Sequence, residues 1–192
     1  MPPFAVRVGG VLLPKPLSGH PALELCNTLA GWHEPRTHRR EWLTTPEHLA
    51  IWAEFAGLVE RRVDVDATVL DEVRDLRAVA YRLLCHRDRS AFPALAEKAG
   101  DANARTRLTI VDDGSARFRL PAGDDPRLPL HAAALAVADL LGRPDRDTVK
   151  ACPGEGCGWL FLDPRGRRTW CTMAVCGNRA KVRAYTARGS GR

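Results

Sequence analysis

Cys152, Cys157, Cys171 and Cys176 form the pattern C-x4-C-x13-C-x4-C near the end of the chain. Two cysteines a few residues apart fold into a knuckle that offers two thiolates, and a short loop can bring two knuckles to one tetrahedral centre. The implied chemistry is coordination of a structural zinc ion. Four thiolates fill the shell and leave no position for water, so such a zinc holds structure and does not catalyse. Gly154, Gly156 and Gly158 let the backbone turn its amides toward sulfurs that carry more negative charge than one dication cancels.

The cysteines sit where the chain turns basic. Pro164 to Arg192 hold Arg165, Arg167, Arg168, Arg179, Lys181, Arg183, Arg188 and Arg192 and no acidic residue. The whole chain carries +6, which leaves residues 1–163 slightly acidic. Positive charge gathered around a metal-stapled module points to a polyanion, and nucleic acid comes first. Arg179 and Arg183 lie four apart on an expected last helix, with Lys181 and Arg188 on a neighbouring edge. Arg165, Arg167 and Arg168 occupy the loop into Cys171. Arginine can read guanine or grip phosphate, and Asn178 has the donor and acceptor to read adenine. Most protein–DNA hydrogen bonds go to the backbone, so phosphate contact is the expected role of the arginines. A cap or turn role is the plainer reading of Asn178. The alternative for the whole face is a zinc-stapled module meeting an acidic protein or RNA. Trp159 and Trp170 flank the cysteines and are expected as core in so small a unit.

The elements that position this module read as mostly helical. Phe4–Leu13 alternates around Gly9-Gly10 and predicts a short hairpin. His20–Ala30 reads as a helix with Ser18 as cap and Pro21 in its first turn. Thr45 and Pro46 open a second helix with Leu49, Trp52, Ala53 and Ala56 as its apolar stripe and Gly57 near its end. The clearest periodicity runs through Asp66–Asp88, where Val69, Val73, Leu76, Ala80, Leu83 and Leu84 share a face and Arg77 falls on another. A helix is expected over Ala91–Arg105, a hairpin around Asp112-Asp113-Gly114-Ser115, and an alanine-rich helix over Leu128–Leu141. Arg143–Asp147 reads as a linker, giving a helical domain over 1–147 and a metal domain over 148–192. Within the latter, Thr148–Ala151 and Trp159–Leu162 predict a hairpin and a helix starts near Cys176. The fold class is mainly α with a small antiparallel β element and a C-terminal treble-clef-like four-cysteine finger.

The finger segment resembles the CGNR zinc-finger family. The carrying residues are Cys152-Pro153, Cys157, Trp159, Phe161, Asp163, Arg167-Arg168, Trp170-Cys171-Thr172-Met173 and the name-giving Cys176-Gly177-Asn178-Arg179. The family usually has Ser where Thr172 stands, which keeps the hydroxyl. Leu23-Glu24-Leu25-Cys26-Asn27-Thr28-Leu29, with Leu43, Pro46, Leu49 and Trp52, is similar to the ABATE domain that precedes this finger. The resemblance implies a stress-induced transcription regulator with Zn2+ as cofactor and DNA as partner.

Asn27, Thr28 and Trp32 lie where the first helix gives way to a polar stretch, and a small effector pocket is one reading of them. The other is that Asn27 anchors the loop, since buried amides must be hydrogen-bonded. His33 and His38 lack distinctive metal spacing, and Cys26 and Cys85 read as core thiols. No nucleophile–base set, phosphate loop or paired-carboxylate motif is present, which argues against an enzyme. No apolar run approaches the roughly 20 residues of a membrane span. The first residues lack a signal-peptide pattern, so a reducing cytoplasm is the expected location.

Overall fold

The computed structural model describes residues 2–189. Its elements run in chain order as β1 (Ala5–Val8), β2 (Val11–Pro14), α1 (Pro21–Cys26), β3 (Leu29–Ala30), β4 (Arg40–Glu41), α2 (Pro46–Phe55), α3 (Ala67–Cys85), α4 (Phe92–Ala104), β5 (Arg107–Ile110), β6 (Ala116–Arg119), α5 (Leu128–Gly142), β7 (Val149–Ala151), β8 (Leu160–Leu162) and α6 (Asn178–Gly189). The strands form four separate antiparallel pairs, β1–β2, β3–β4, β5–β6 and β7–β8. No helix among the described residues is long and apolar enough to cross a membrane.

The helices start where capping chemistry permits. Thr45 Oγ1 accepts the His48 amide and Pro46 opens α2, and Asp66 Oδ1 accepts the Val69 amide at the start of α3. Gly57 follows α2 at φ +70°, a conformation that favours glycine. α3 and α5 bury their apolar faces in one core with Leu23, Leu25, Trp52 and Leu95. That core also takes Leu160 of β8.

The first helix is shorter than its sequence pattern predicts. It is capped by His20, whose Nδ1 accepts the Ala22 amide, while Ser18 Oγ donates to the His20 carbonyl. It stops at Cys26 because side chains take over the carbonyls: Thr28 Oγ1 donates to Leu25 O at 2.7 Å and Trp32 Nε1 to Cys26 O at 3.0 Å. Leu29–Ala30 then pairs with Arg40–Glu41 as a strand. The polar stretch that follows the helix in sequence therefore returns as an ordered arm.

Arg77 also departs from expectation. It lies on α3 yet is 4% exposed. Its guanidinium meets Glu41 through two nitrogens and donates to Thr28 Oγ1 at 2.9 Å. The burial is tolerable because the charge is paired and bidentate.

Candidate metal centre and its basic flank

The β7–β8 hairpin presents the first two cysteines. Val149, Lys150 and Ala151 pair with Leu162, Phe161 and Leu160, and the Cys152 amide donates to Trp159 O at 2.8 Å. The loop closes at Cys157, whose amide donates to Gly154 O at 3.0 Å. The other two cysteines flank a wide turn at Met173–Gly177, which Thr172 caps by accepting the Ala174 amide. Helix α6 follows at Asn178, two residues beyond Cys176.

The four Sγ atoms lie within 4.8 Å of one another. Cys157 and Cys171 sulfurs are 3.7 Å apart, and those of Cys171 and Cys176 3.6 Å. A tetrahedron with Zn–S bonds of 2.3 Å has edges of about 3.8 Å, whereas a disulfide needs about 2.05 Å. The donor set and spacing fit zinc. The cluster is enclosed: Cys152, Cys171 and Cys176 are buried among Ala5, Trp42, Trp159, Phe161 and Val175. Close packing continues at Gly154, where a Cβ would meet Cys176 Sγ at 2.9 Å.

The protonation pattern leads to the same ion. Hydrogen bonds from Cys157, then Cys171 and Cys176, hold the Cys152 thiol far below its ordinary range. Cys171 is driven up, chiefly by its hydrogen bond to Cys152, and Cys157 is driven up for the same first cause. Four sulfurs this close cannot all ionise against one another, and a dication bound in their midst replaces the shared protons. Zinc would be held by Cys152, Cys157, Cys171 and Cys176.

The finger is bound into the helical body along a continuous seam. Asn27 Oδ1 accepts the Leu160 amide at 2.7 Å and its Nδ2 donates to the Leu160 carbonyl at 2.9 Å. The Gly31 amide donates to Cys157 O at 2.8 Å and the Leu162 amide to Ser18 O at 2.9 Å. Tyr81 Oη donates to Gly158 O, and Trp159 Nε1 to Leu29 O. Gly158 sits at φ +71°, and a Cβ there would strike Trp32 Cβ at 2.9 Å. Phe4, just ahead of β1, packs edge-on against both Trp42 and Trp159.

The same seam corrects the reading of Asn27, Thr28 and Trp32 as an effector pocket. Asn27 spends its donor and acceptor on Leu160, and Thr28 bonds Leu25 O and Arg77. Trp32 donates to Cys26 O and stacks on Tyr81 with ring centroids 3.9 Å apart. These residues fasten the finger and its supporting arm. No sequence signal joins Asn27 to Leu160, because the partner is a backbone 133 residues away.

The basic residues divide by what already occupies them. Arg168 is committed internally: it donates to Leu162 O, Leu17 O and Cys171 O and lies over the Phe161 ring at 4.4 Å. Asp163 fixes the loop by accepting the Arg167 and Arg168 amides and pairing with Lys150 at 2.6 Å. Arg168 is thus a brace, which corrects its assignment to nucleic acid. Asn178 Nδ2 donates to Ala174 O at 3.4 Å, the turn role. Arg183 is paired with Glu155. Arg165, Arg167, Arg179 and Lys181 are exposed, and their side chains have no hydrogen-bond or ion-pair partner among the described residues. Arg192 lies outside those residues. Trp159 is buried core and Trp170 is partly buried against it. Arg168→Ala is expected to cost about 1.5–3 kcal/mol through its lost charged hydrogen bonds, while Arg167→Ala leaves the melting temperature unchanged; thermal melts of the two zinc-loaded variants check this.

Residues 19–144 match ABATE, described as a putative stress-induced transcription regulator. The chain belongs to this family. Residues 148–189 match the CGNR zinc finger, so the ABATE domain and its finger meet across Pro144–Thr148, where the chain makes a short 3-10 turn. No curated protein matches the chain in sequence. The cysteine cluster of this ABATE protein falls wholly within its finger match.

Proposed function

We propose that this zinc-finger regulator binds duplex DNA through the basic residues that flank its metal centre. The observation that carries the reading is the set of exposed cations, Arg165, Arg167, Arg179 and Lys181, which have no intramolecular partner in a segment devoid of acid. Charges left unpaired on a rigid, metal-stapled element supply phosphate contacts at little ordering cost. The zinc fixes the loop at Arg165–Arg167 and the start of α6 relative to each other, so both segments keep one geometry. Arg183 can join when it exchanges Glu155 for a phosphate.

The test is the salt dependence of binding by zinc-loaded protein. Each neutralised phosphate contributes roughly −0.9 to the slope of log affinity against log salt, so four contacts give roughly −3.6. Arg179→Ala is expected to reduce the magnitude of that slope by about one. Glu155→Gln should strengthen binding by releasing Arg183. Absence of duplex binding at low salt would sink the proposal and leave an acidic protein or RNA as the partner of this face. Selection of bound fragments from random DNA then separates a sequence-selective regulator from a general polyanion binder.

A further inference from the structure

The β5–β6 hairpin stands apart from everything the finger uses. All eight of its strand residues are exposed. Its register pairs Leu108 with Phe118 and Ile110 with Ala116, so these four side chains share one face. The other face carries Arg107, Thr109, Arg117 and Arg119. On the apolar face Leu108 is 61% exposed, Ile110 80% and Phe118 70%. An isolated two-stranded hairpin is marginal in water and needs a further layer on its hydrophobic face. Contiguous exposed apolar surface of this kind marks an interface.

We propose that this face binds the same face of a second copy of the chain. The argument for a second copy is the charge along the ribbon. Asp112 and Asp113 form its tip, and Arg107 and Arg119 pair across its base. If two ribbons stack with tips together, four carboxylates crowd one end. If they stack antiparallel about a two-fold axis, each acidic tip lies over the basic base of the other, and the apolar residues meet in the middle. The surface is therefore self-complementary in one orientation, as an isologous interface must be. Four facing residues bury less than the roughly 800 Å² a side of a standard interface. The dimer is accordingly one that dissociates on dilution.

Sedimentation equilibrium of the zinc-loaded full chain tests this. The weight-average mass should rise from 21.1 kDa toward twice that value between low micromolar and near-millimolar protein. Ile110→Lys should hold it at 21.1 kDa throughout; the residue is exposed, and circular dichroism with zinc content verifies that the fold persists. Asp112→Arg and Arg119→Asp should each weaken association at least threefold, and the double variant should recover it. A wild type that stays monomeric over the whole range overturns the proposal. So does a dimer that Ile110→Lys leaves intact, which would place the interface elsewhere. Failure of the double variant to recover, with both singles weakened, overturns the antiparallel pairing.

Discussion

Removing the zinc is expected to unfold residues 148–189 and to loosen the ABATE domain along with them. Thiolate coordination in small fingers is worth about 10–16 kcal/mol at neutral pH. Whole domains are stable by only about 5–15 kcal/mol. A separate finger would release that energy locally and leave its neighbour standing. Here the two share structure: Leu160 belongs to the helical core, and Gly31, Ser18, Asn27 and Tyr81 all bond the finger's backbone. Losing the metal therefore deprives the Trp32–Tyr81 stack and the β3–β4 arm of the surface they pack on. The measurement is amide exchange and thermal melting with and without chelator, alongside metal analysis. One zinc per chain is expected, and Cys171→Ser should fail to retain it. Coincident loss of protection in the finger and at α1 is the predicted pattern. Full protection of α1 and α3 after zinc removal would show the seam to be energetically slight. Acid should act in the same direction, because protons compete with zinc for the thiolates.

What the sequence discloses follows the range of the interactions. The cysteine spacing, the Thr45-Pro46 and Asp66 helix starts, and the Asp112–Ser115 turn are signals contained within a few residues. Each was legible because the chemistry that makes the element lies inside it. Arg77 shows the opposite case. Its position on α3 reads as a polar face, yet Glu41 and Thr28 draw it inward from segments 36 and 49 residues away. Arg168 is similar: as one of many arginines in a basic tail it looks like a phosphate grip, and only the fold brings Leu17 O to its guanidinium. The first helix was overextended for a related reason. Leu25, Leu29 and their neighbours keep helical spacing, but Thr28 and Trp32 cap the carbonyls after one and a half turns and free Leu29 to pair with Glu41.

Two candidate surfaces now occupy different parts of the protein, and they make different demands. The basic flank of the finger needs rigid placement, which zinc and the seam provide. The β5–β6 ribbon needs only to present a face, and it projects from the end of α4 with all eight of its strand residues exposed. Changes at Ile110 should thus leave the salt slope per chain unaltered. Changes at the seam should disturb the finger.

Asn27→Ala is the sharpest test of that seam. The side chain is 1% exposed and satisfies both polar groups of Leu160. Truncation leaves a buried amide and a buried carbonyl without partners, at about 1–3 kcal/mol each. The combined cost is roughly 2–6 kcal/mol, and at about 2–4 °C per kcal/mol for a chain of this size the melting temperature should fall by roughly 5–20 °C. Asn27→Asp should do no better: it keeps an acceptor for the Leu160 amide, loses the donor to the carbonyl, and buries a charge with no cation bonded to it. An effector-binding role would give a different outcome, with near-normal stability in the absence of added molecules. The decisive comparison is made with and without zinc. If Asn27 works by docking the finger, its substitution should cost much less once the finger has unfolded, so that Asn27→Ala and zinc removal are strongly non-additive. Additive losses would mean that Asn27 stabilises α1 alone and that finger and helical domain are held together by other contacts.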